Sequence, residues 1–364
     1  MNRRNFLETS VAACAGLAFS RPLQAFADTS DSAAWRTFEV TTRVEVLKPN
    51  GVTHIWLPAA LIHDTPYQKT LANKFNAEGG TAKFTKDKAS ALGLVSATYS
   101  AKAKPVLTMT CRVSLKNYAV DLSGSKPAPS QRASQDELQL FLQPSRYVPT
   151  NGIVKQTADK ATTGATTDVD KARAIYEWIV ENTFRDPKVK GCGRGDIRAM
   201  LESGDLGGKC ADLNALYVGM ARSVGLPARH VYGLRIAKSD LGYKSLGVAT
   251  DKATKGQHCR VEVYLREHGW VPVDPADVRK VVLEEPPGNR PLSDEMVSKA
   301  RKRLFGSWET NWMAHNYAHD VELPGSAKQP VVYFMYPQAE TADGRVDPFD
   351  ADNFKYEITV KEMS

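Results

Sequence analysis

Two glycines, a cysteine and then an apolar stripe restrict the middle of this chain more than any other feature. Gly207-Gly208-Lys209-Cys210-Ala211-Asp212 leads into Leu213, Leu216, Tyr217, Met220, Ala221 and Val224. That three- and four-residue recurrence predicts an amphipathic helix. Gly225-Leu226-Pro227 ends it, as glycine and proline beyond a last turn do. Cys210 therefore falls at the helix N-terminus, where N–H groups without acceptors and the macrodipole favour an anion. Such a setting lowers a thiol pKa and makes a nucleophile. A small packed core cysteine would also suit the position, so the helix alone leaves both roles open.

The downstream sequence tips that balance. Gln257-His258-Cys259-Arg260-Val261-Glu262-Val263-Tyr264-Leu265 alternates as a half-buried strand does, Arg266-Glu267-His268-Gly269 reads as a tight turn, and Trp270-Val271-Pro272-Val273-Asp274 as the returning strand. In an antiparallel hairpin centred on Arg266, His258 and Asp274 oppose each other and project from one face. A bulge would shift the pairing yet keep them close. A thiol, an imidazole and a carboxylate so placed meet the needs of thiol catalysis. The imidazole takes the thiol proton and later protonates a leaving amine, while the carboxylate fixes the tautomer and steadies the imidazolium.

These segments, together with Gly225-Leu226-Pro227-Ala228-Arg229 and Gly269-Trp270-Val271-Pro272-Val273-Asp274-Pro275, resemble bacterial transglutaminase-like proteins. The resemblance covers roughly residues 165–325. It implies a papain-like fold with Cys210 as nucleophile, His258 as base and Asp274 as orienter. The superfamily includes transglutaminases, peptidases, amidases and members without activity, so the resemblance speaks to fold and triad more than to reaction.

Residues 1–27 carry a separate message. Asn2-Arg3-Arg4-Asn5-Phe6-Leu7 is a twin-arginine pattern, an apolar run extends from Val11 to Phe19, and Ala25-Phe26-Ala27 has the spacing of a cleavage site. The mature chain is expected to begin at Asp28 and to be periplasmic or otherwise exported. No later stretch approaches the roughly 20 apolar residues of a membrane span. The formal charge of +7 is carried by dispersed residues. That fits peripheral contact with anionic wall polymers and gives no reason to expect nucleic acid.

Cys111, Cys192, Cys210 and Cys259 remain after such processing. If Cys210 is to stay a thiolate, an oxidising compartment leaves one disulfide open among the rest, with Cys192 and Cys259 the candidates nearest the site. A zinc site from Cys192, Cys210, His258 and Cys259 is disfavoured, because no Cys-x-x-Cys pair exists and neighbours on a strand face opposite ways. No metal and no cofactor are expected.

The expected fold class is α+β. An N-terminal β-sandwich-like domain with a linker occupies 28–150, the transglutaminase-like core 151–325 and a C-terminal β extension 326–364. Strand-like alternation from Phe38 to Val46 and from Val106 to Val113 supports the first. Cys111 reads as core, residues 123–130 as linker. Trp308 and Trp312, four apart, would share a helix face, either packing on the core or lining an acyl groove. The function expected is cysteine-dependent cleavage of an amide bond through an acyl-thioester intermediate, acting on peptide or peptidoglycan-peptide substrates. Protein-glutamine transamidation and a non-catalytic peptide- or wall-binding module are the rivals. The Cys210 N–H is the default oxyanion donor, and a second donor has no sequence signal.

Overall fold

The computed structural model describes residues 34–124 and 132–363. The expected leader, residues 1–27, and most of the expected linker lie outside the described residues. The first third of the fold contributes β1 (Arg36–Val46), β2 (Thr53–Pro58), β3 (Gln68–Glu78), β4 (Thr81–Asp87), β5 (Leu92–Tyr99), β6 (Val106–Leu115) and β7 (Tyr118–Ala119). The middle is α1 (Gln135–Leu140), α2 (Ile153–Ala161), α3 (Asp168–Asn182), β8 (Phe184–Arg185), α4 (Ile197–Ser203), β9 (Gly207–Gly208) and α5 (Cys210–Ser223). Then come β10 (Ala228–Arg235), β11 (Gln257–Leu265), β12 (Gly269–Val273), α6 (Pro275–Glu284), α7 (Glu295–Arg303), β13 (Ser307–Trp308) and β14 (Trp312–Asn316). The tail holds β15 (His319–Val321), β16 (Val331–Tyr333), β17 (Gln338–Thr341), β18 (Gly344–Val346) and β19 (Phe354–Met363).

Two antiparallel sheets, ordered β19-β1-β6-β3 and β18-β17-β2-β5-β4, pack face to face. Period-2 alternation makes this possible: Phe38, Val40, Val44 and Val46 of β1 face inward with Ile55, Leu57, Val95, Leu107, Met109, Val113, Phe354 and Ile358. Cys111 belongs to that core, and burial pushes its thiol up to about 12. The expected sandwich is therefore present, but the chain's two ends build it together. β19 pairs along nearly all of β1, from Thr37↔Met363 to Val46↔Phe354, and β17 pairs with β2. The expected C-terminal extension completes the N-terminal sandwich.

The second core surrounds α5. A sheet ordered β12-β11-β10-β14 lies against it, with α2, α3 and α6 around the remaining sides. The sequence predicts one apolar face; in the structure every residue from Cys210 to Arg222 is buried. Its polar residues are bonded to protein instead of water. Asn214 reaches the Cys259 carbonyl, and Arg222 donates to the carbonyls of Ala228 and Gln143. The predicted stop is where the helix ends: Gly225 takes φ +85°, its N–H bonds the Arg222 carbonyl and Leu226 N–H returns to the Ala221 carbonyl.

Candidate functional site

The start of α5 is crowded, and glycine makes the crowding possible. A Cβ on Gly208 would lie 2.5 Å from Asp212 Cβ, and one on Gly193 (φ +97°) 1.8 Å from Asp212 Oδ2. Into that space the Asp212 carboxylate folds back, accepting from the N–H groups of Lys209 (2.9 Å), Arg194 (2.8 Å) and Gly195 (2.8 Å). Ala211 N–H donates to the Cys192 carbonyl at 2.9 Å. The loop at 192–195 is thereby fastened over the first helical turn, with Cys210 beneath it. As the first helical residue, Cys210 carries an N–H without an acceptor in its own helix.

His258 is the second residue of β11, and its Nε2 lies 2.8 Å from Asp274 Oδ2. The hairpin differs from the expected one in a specific way. Leu265 pairs with Gly269 and Val261 with Val273, so the turn centres on Glu267 and the ladder stops before His258. Gly269, at φ +73°, closes the three-residue link. Asp274 is consequently not a strand residue opposite His258. It is the N-cap of α6, with Pro275 at the first helical position, and its Oδ1 accepts Asp277 N–H at 3.1 Å. The shift of two residues keeps the parity of the strand, and the two side chains still meet.

Sequence reasoning missed the residues behind this pair. Asp277 Oδ2 also lies 3.4 Å from His258 Nε2, while its Oδ1 accepts from Arg235 at 2.5 Å. Asn214 donates to Asp274 Oδ1 at 3.2 Å, and Arg260 Nε stands 3.9 Å from Asp274 Oδ2. Asp277 follows Asp274 by three residues on a helix start, a spacing that puts both on one side; Arg235, on another strand, has no such local cue. Because both carboxylates only accept, Nε2 must carry the proton they receive, which leaves Nδ1 as the basic nitrogen.

The electrostatics follow from this packing. Hydrogen bonds from the Cys192 and Cys259 thiols, and then from His258, hold the Cys210 thiol well below its usual range against the opposing effect of burial. Burial and Arg235 push His258 down, but Asp277 and Asp274 hold it above 6.5. Asp274 is raised by burial and by Asp277; Asp277 is held low by Arg235 despite its burial. Cys210, His258 and Asp274 are 4%, 3% and 0% exposed, so these effects act with little screening from water. Cys192, whose thiol meets the Gln257 carbonyl at 3.3 Å and receives the Tyr336 hydroxyl at 3.0 Å, is a free thiol, as are Cys111, Cys210 and Cys259.

Cys210 and His258 open onto a cleft of about 510 Å³, with Cys192, Lys209, Gln257 and Tyr336 also in its wall. Phe349, Phe354, Lys355 and Tyr356 from the tail form part of the same wall. Among the described residues, donor atoms of His258, Asp274 and Asp277 lie within 4.8 Å of one another, close enough to ligate a cation. Arg235 and Arg260 already stand beside those carboxylates as their counter-charges.

Trp308 and Trp312 lie on two short strands, not on a shared helix face, because β13 pairs with β7 and β14 with β10. Their rings meet edge to face at 5.7 Å and both are buried away from the cleft. Trp312 donates its indole N–H to the His258 carbonyl at 2.8 Å, and Arg260 sits 4.8 Å from its ring centre. Gly233 makes room for it: a Cβ there would lie 2.4 Å from the indole.

With this fold and this site, the chain belongs to the transglutaminase-like superfamily, whose sequence profile matches residues 155–275. An uncharacterised protein of Haemophilus influenzae is 32% identical over 342 residues, spanning 90% of this chain and 91% of its own length. The crystal structure of a candidate cysteine protease from Cytophaga hutchinsonii shares the fold at a TM-score of 0.50 and 15% identity, over 90% of this chain and 99% of that one. The periplasmic domain of TgpA from Pseudomonas aeruginosa aligns over 67% of this chain and 88% of its own, with a TM-score of 0.36 and 15% identity. Among the described residues no helix is long and apolar enough to cross a membrane.

Proposed function

We propose that this protein is an exported cysteine amidase or peptidase that works through an acyl-thioester. The observation that carries the reading is geometric: Cys210 at the N-terminus of α5 shares one cleft with His258, whose Nε2 meets Asp274 Oδ2 at 2.8 Å and Asp277 Oδ2 at 3.4 Å. The Cys210 thiolate attacks the carbonyl carbon of an amide, and the oxyanion formed is met by the Cys210 N–H at the start of α5. His258 gives its proton to the departing amine as the C–N bond breaks. It then takes a proton from the incoming water, whose oxygen displaces the thiolate and releases the acid. Asp274 and Asp277 fix the ring and its tautomer throughout. The twin-arginine pattern of residues 1–27 supports export, and peptide or peptidoglycan-peptide substrates suit that compartment. Water is preferred over an amine as second substrate because no sequence motif indicates an acceptor-amine site.

Intact-mass spectrometry tests this directly. The mature chain, mixed with peptidoglycan fragments or peptide amides, should gain the mass of an acyl group at Cys210 that decays in water to free acid. Cys210→Ala should abolish both adduct and product. Absence of any Cys210 adduct and of any released amine across those substrates would contradict the reading.

A further inference from the structure

The charge lining the cleft is one-sided. Arg185, Lys209, Lys255, Lys280 and Lys355 all contribute to its wall, and none of the residues lining it is Asp or Glu. They do not form a run in the sequence: they come from β8, the N-cap of α5, the approach to β11, α6 and β19. A solvated helix face therefore does not explain them. Glu284 serves both Arg185 and Lys280, the latter at 3.5 Å, so one carboxylate is shared between two cations. Lys209, Lys255 and Lys355 have no ion-pair partner among the described residues. Lys255 and Lys355 stand on segments tied to each other, since Ala253 N–H bonds the Ile358 carbonyl and Val360 N–H the Asp251 carbonyl. The concave shape concentrates the field of these groups on the space in front of Cys210 and His258.

We infer that the acyl donor is an acidic peptide, one that carries carboxylates close to the amide to be cleaved. This rests on the reading of the Cys210 cleft as the substrate site. The same field repels a protonated lysine side chain, which disfavours a protein lysine as acyl acceptor and favours water. The accessible apolar members of the wall, Val248 and Phe349, can take the stems of such side chains while their carboxylates meet the lysines.

The test uses the mature Cys210→Ala protein, which binds without turnover, and isothermal titration calorimetry with two hexapeptide amides, one rich in Glu and one with Gln at the same positions. The Glu peptide should bind about thirtyfold more tightly at low salt, since its contacts with Lys255 and Lys355 are each worth roughly 1 kcal/mol in water. That advantage should collapse when ionic strength rises from about 0.01 M to about 1 M, where the Debye length shrinks from roughly 30 to 3 Å. Lys255→Gln and Lys355→Gln, each with an unchanged melting temperature, should each cost the Glu peptide about fivefold while narrowing its lead over the Gln peptide. Equal affinity for the two peptides, tighter binding of the Gln peptide, or no binding of either overturns the inference. Acylation of wild-type Cys210, read by mass spectrometry, is a separate readout. A Cys210 adduct without charge preference would sink the acidic donor and spare the enzyme; charge preference with no adduct from any substrate would do the reverse.

Discussion

Asp274 and Asp277 occupy the N-cap and first turn of α6, and both face the same imidazole nitrogen. Two carboxylates that close cannot be equally acidic. Arg235 settles the order by holding Asp277 low, while burial and Asp277 raise Asp274. Asp277→Asn should therefore lower the His258 pKa, because it removes a charge that raises it. In a pH profile of Cys210 alkylation, the loss of imidazolium should then move to lower pH. The same change leaves the Arg235 guanidinium buried without its partner, at a cost of about 3–5 kcal/mol in thermal unfolding. The sign for stability follows from the raised pKa of His258. Its contribution is fully present below 6.5 and is lost as pH rises through the folded value. Urea unfolding of wild type and His258→Asn at a series of pH values checks this: the gap between them should close as pH rises. At this scale the meeting of His258 with Asp274 and the helix start at Cys210 were legible in the sequence, although Asp274 was expected on a strand and caps α6 instead. Asp277 was half legible, three residues on. Arg235 and Asn214 were not, because only packing brings them to the site.

Elements carried readable signals wherever their cause is local. The helix start at Cys210 and its stop at Gly225 were visible as glycines and a periodic apolar set. That α5 is buried on every side was not, since its neighbours α2, α3 and α6 lie elsewhere in the chain. The hairpin was visible, its register was not: the positive φ of Gly269 moved the turn by one residue and turned Asp274 from strand into cap. Two glycines separate conformational from steric roles. Gly225 sits at φ +85°, and a Cβ added there would meet nothing within 4 Å. Gly225→Ala should therefore cost about 1–2 kcal/mol from backbone strain alone, measured by denaturant unfolding. Gly233→Ala should cost more, about 2–4 kcal/mol, because its Cβ would meet the Trp312 indole and the Met313 carbonyl at 2.3 Å. It should also slow Cys210 alkylation, since Trp312 holds the backbone of His258.

At the scale of the described fold, the tail joins β1 to the cleft. β19 pairs with β1 over ten residue pairs, and the segment leading into it supplies part of the cleft wall. The strands themselves could be read from alternation, but not this partnership, because no local signal links residues some three hundred positions apart. Phe354 and Ile358 are buried in the sandwich core, and each is worth about 1.5–3 kcal/mol there. Against a typical total of 5–15 kcal/mol, their loss together with the ladder is decisive. Ending the chain after Asp347 should expose the edge of β1 and give a protein that aggregates or melts far below the full chain in a thermal scan.

The central claim is that Cys210 is a nucleophile whose thiolate is supported by the Cys192 and Cys259 thiols and by His258. Its most direct measurement is the rate of iodoacetamide labelling at Cys210, followed by peptide mass spectrometry across pH in wild type and His258→Ala. Because the Cys210 pKa is lowered, its thiolate should persist, and labelling stay fast, well below the ordinary thiol range, falling only as pH drops through the folded value. In His258→Ala the midpoint should move upward and the rate at neutral pH drop. A midpoint near the ordinary thiol value of about 8.5, the same in both proteins, would contradict it.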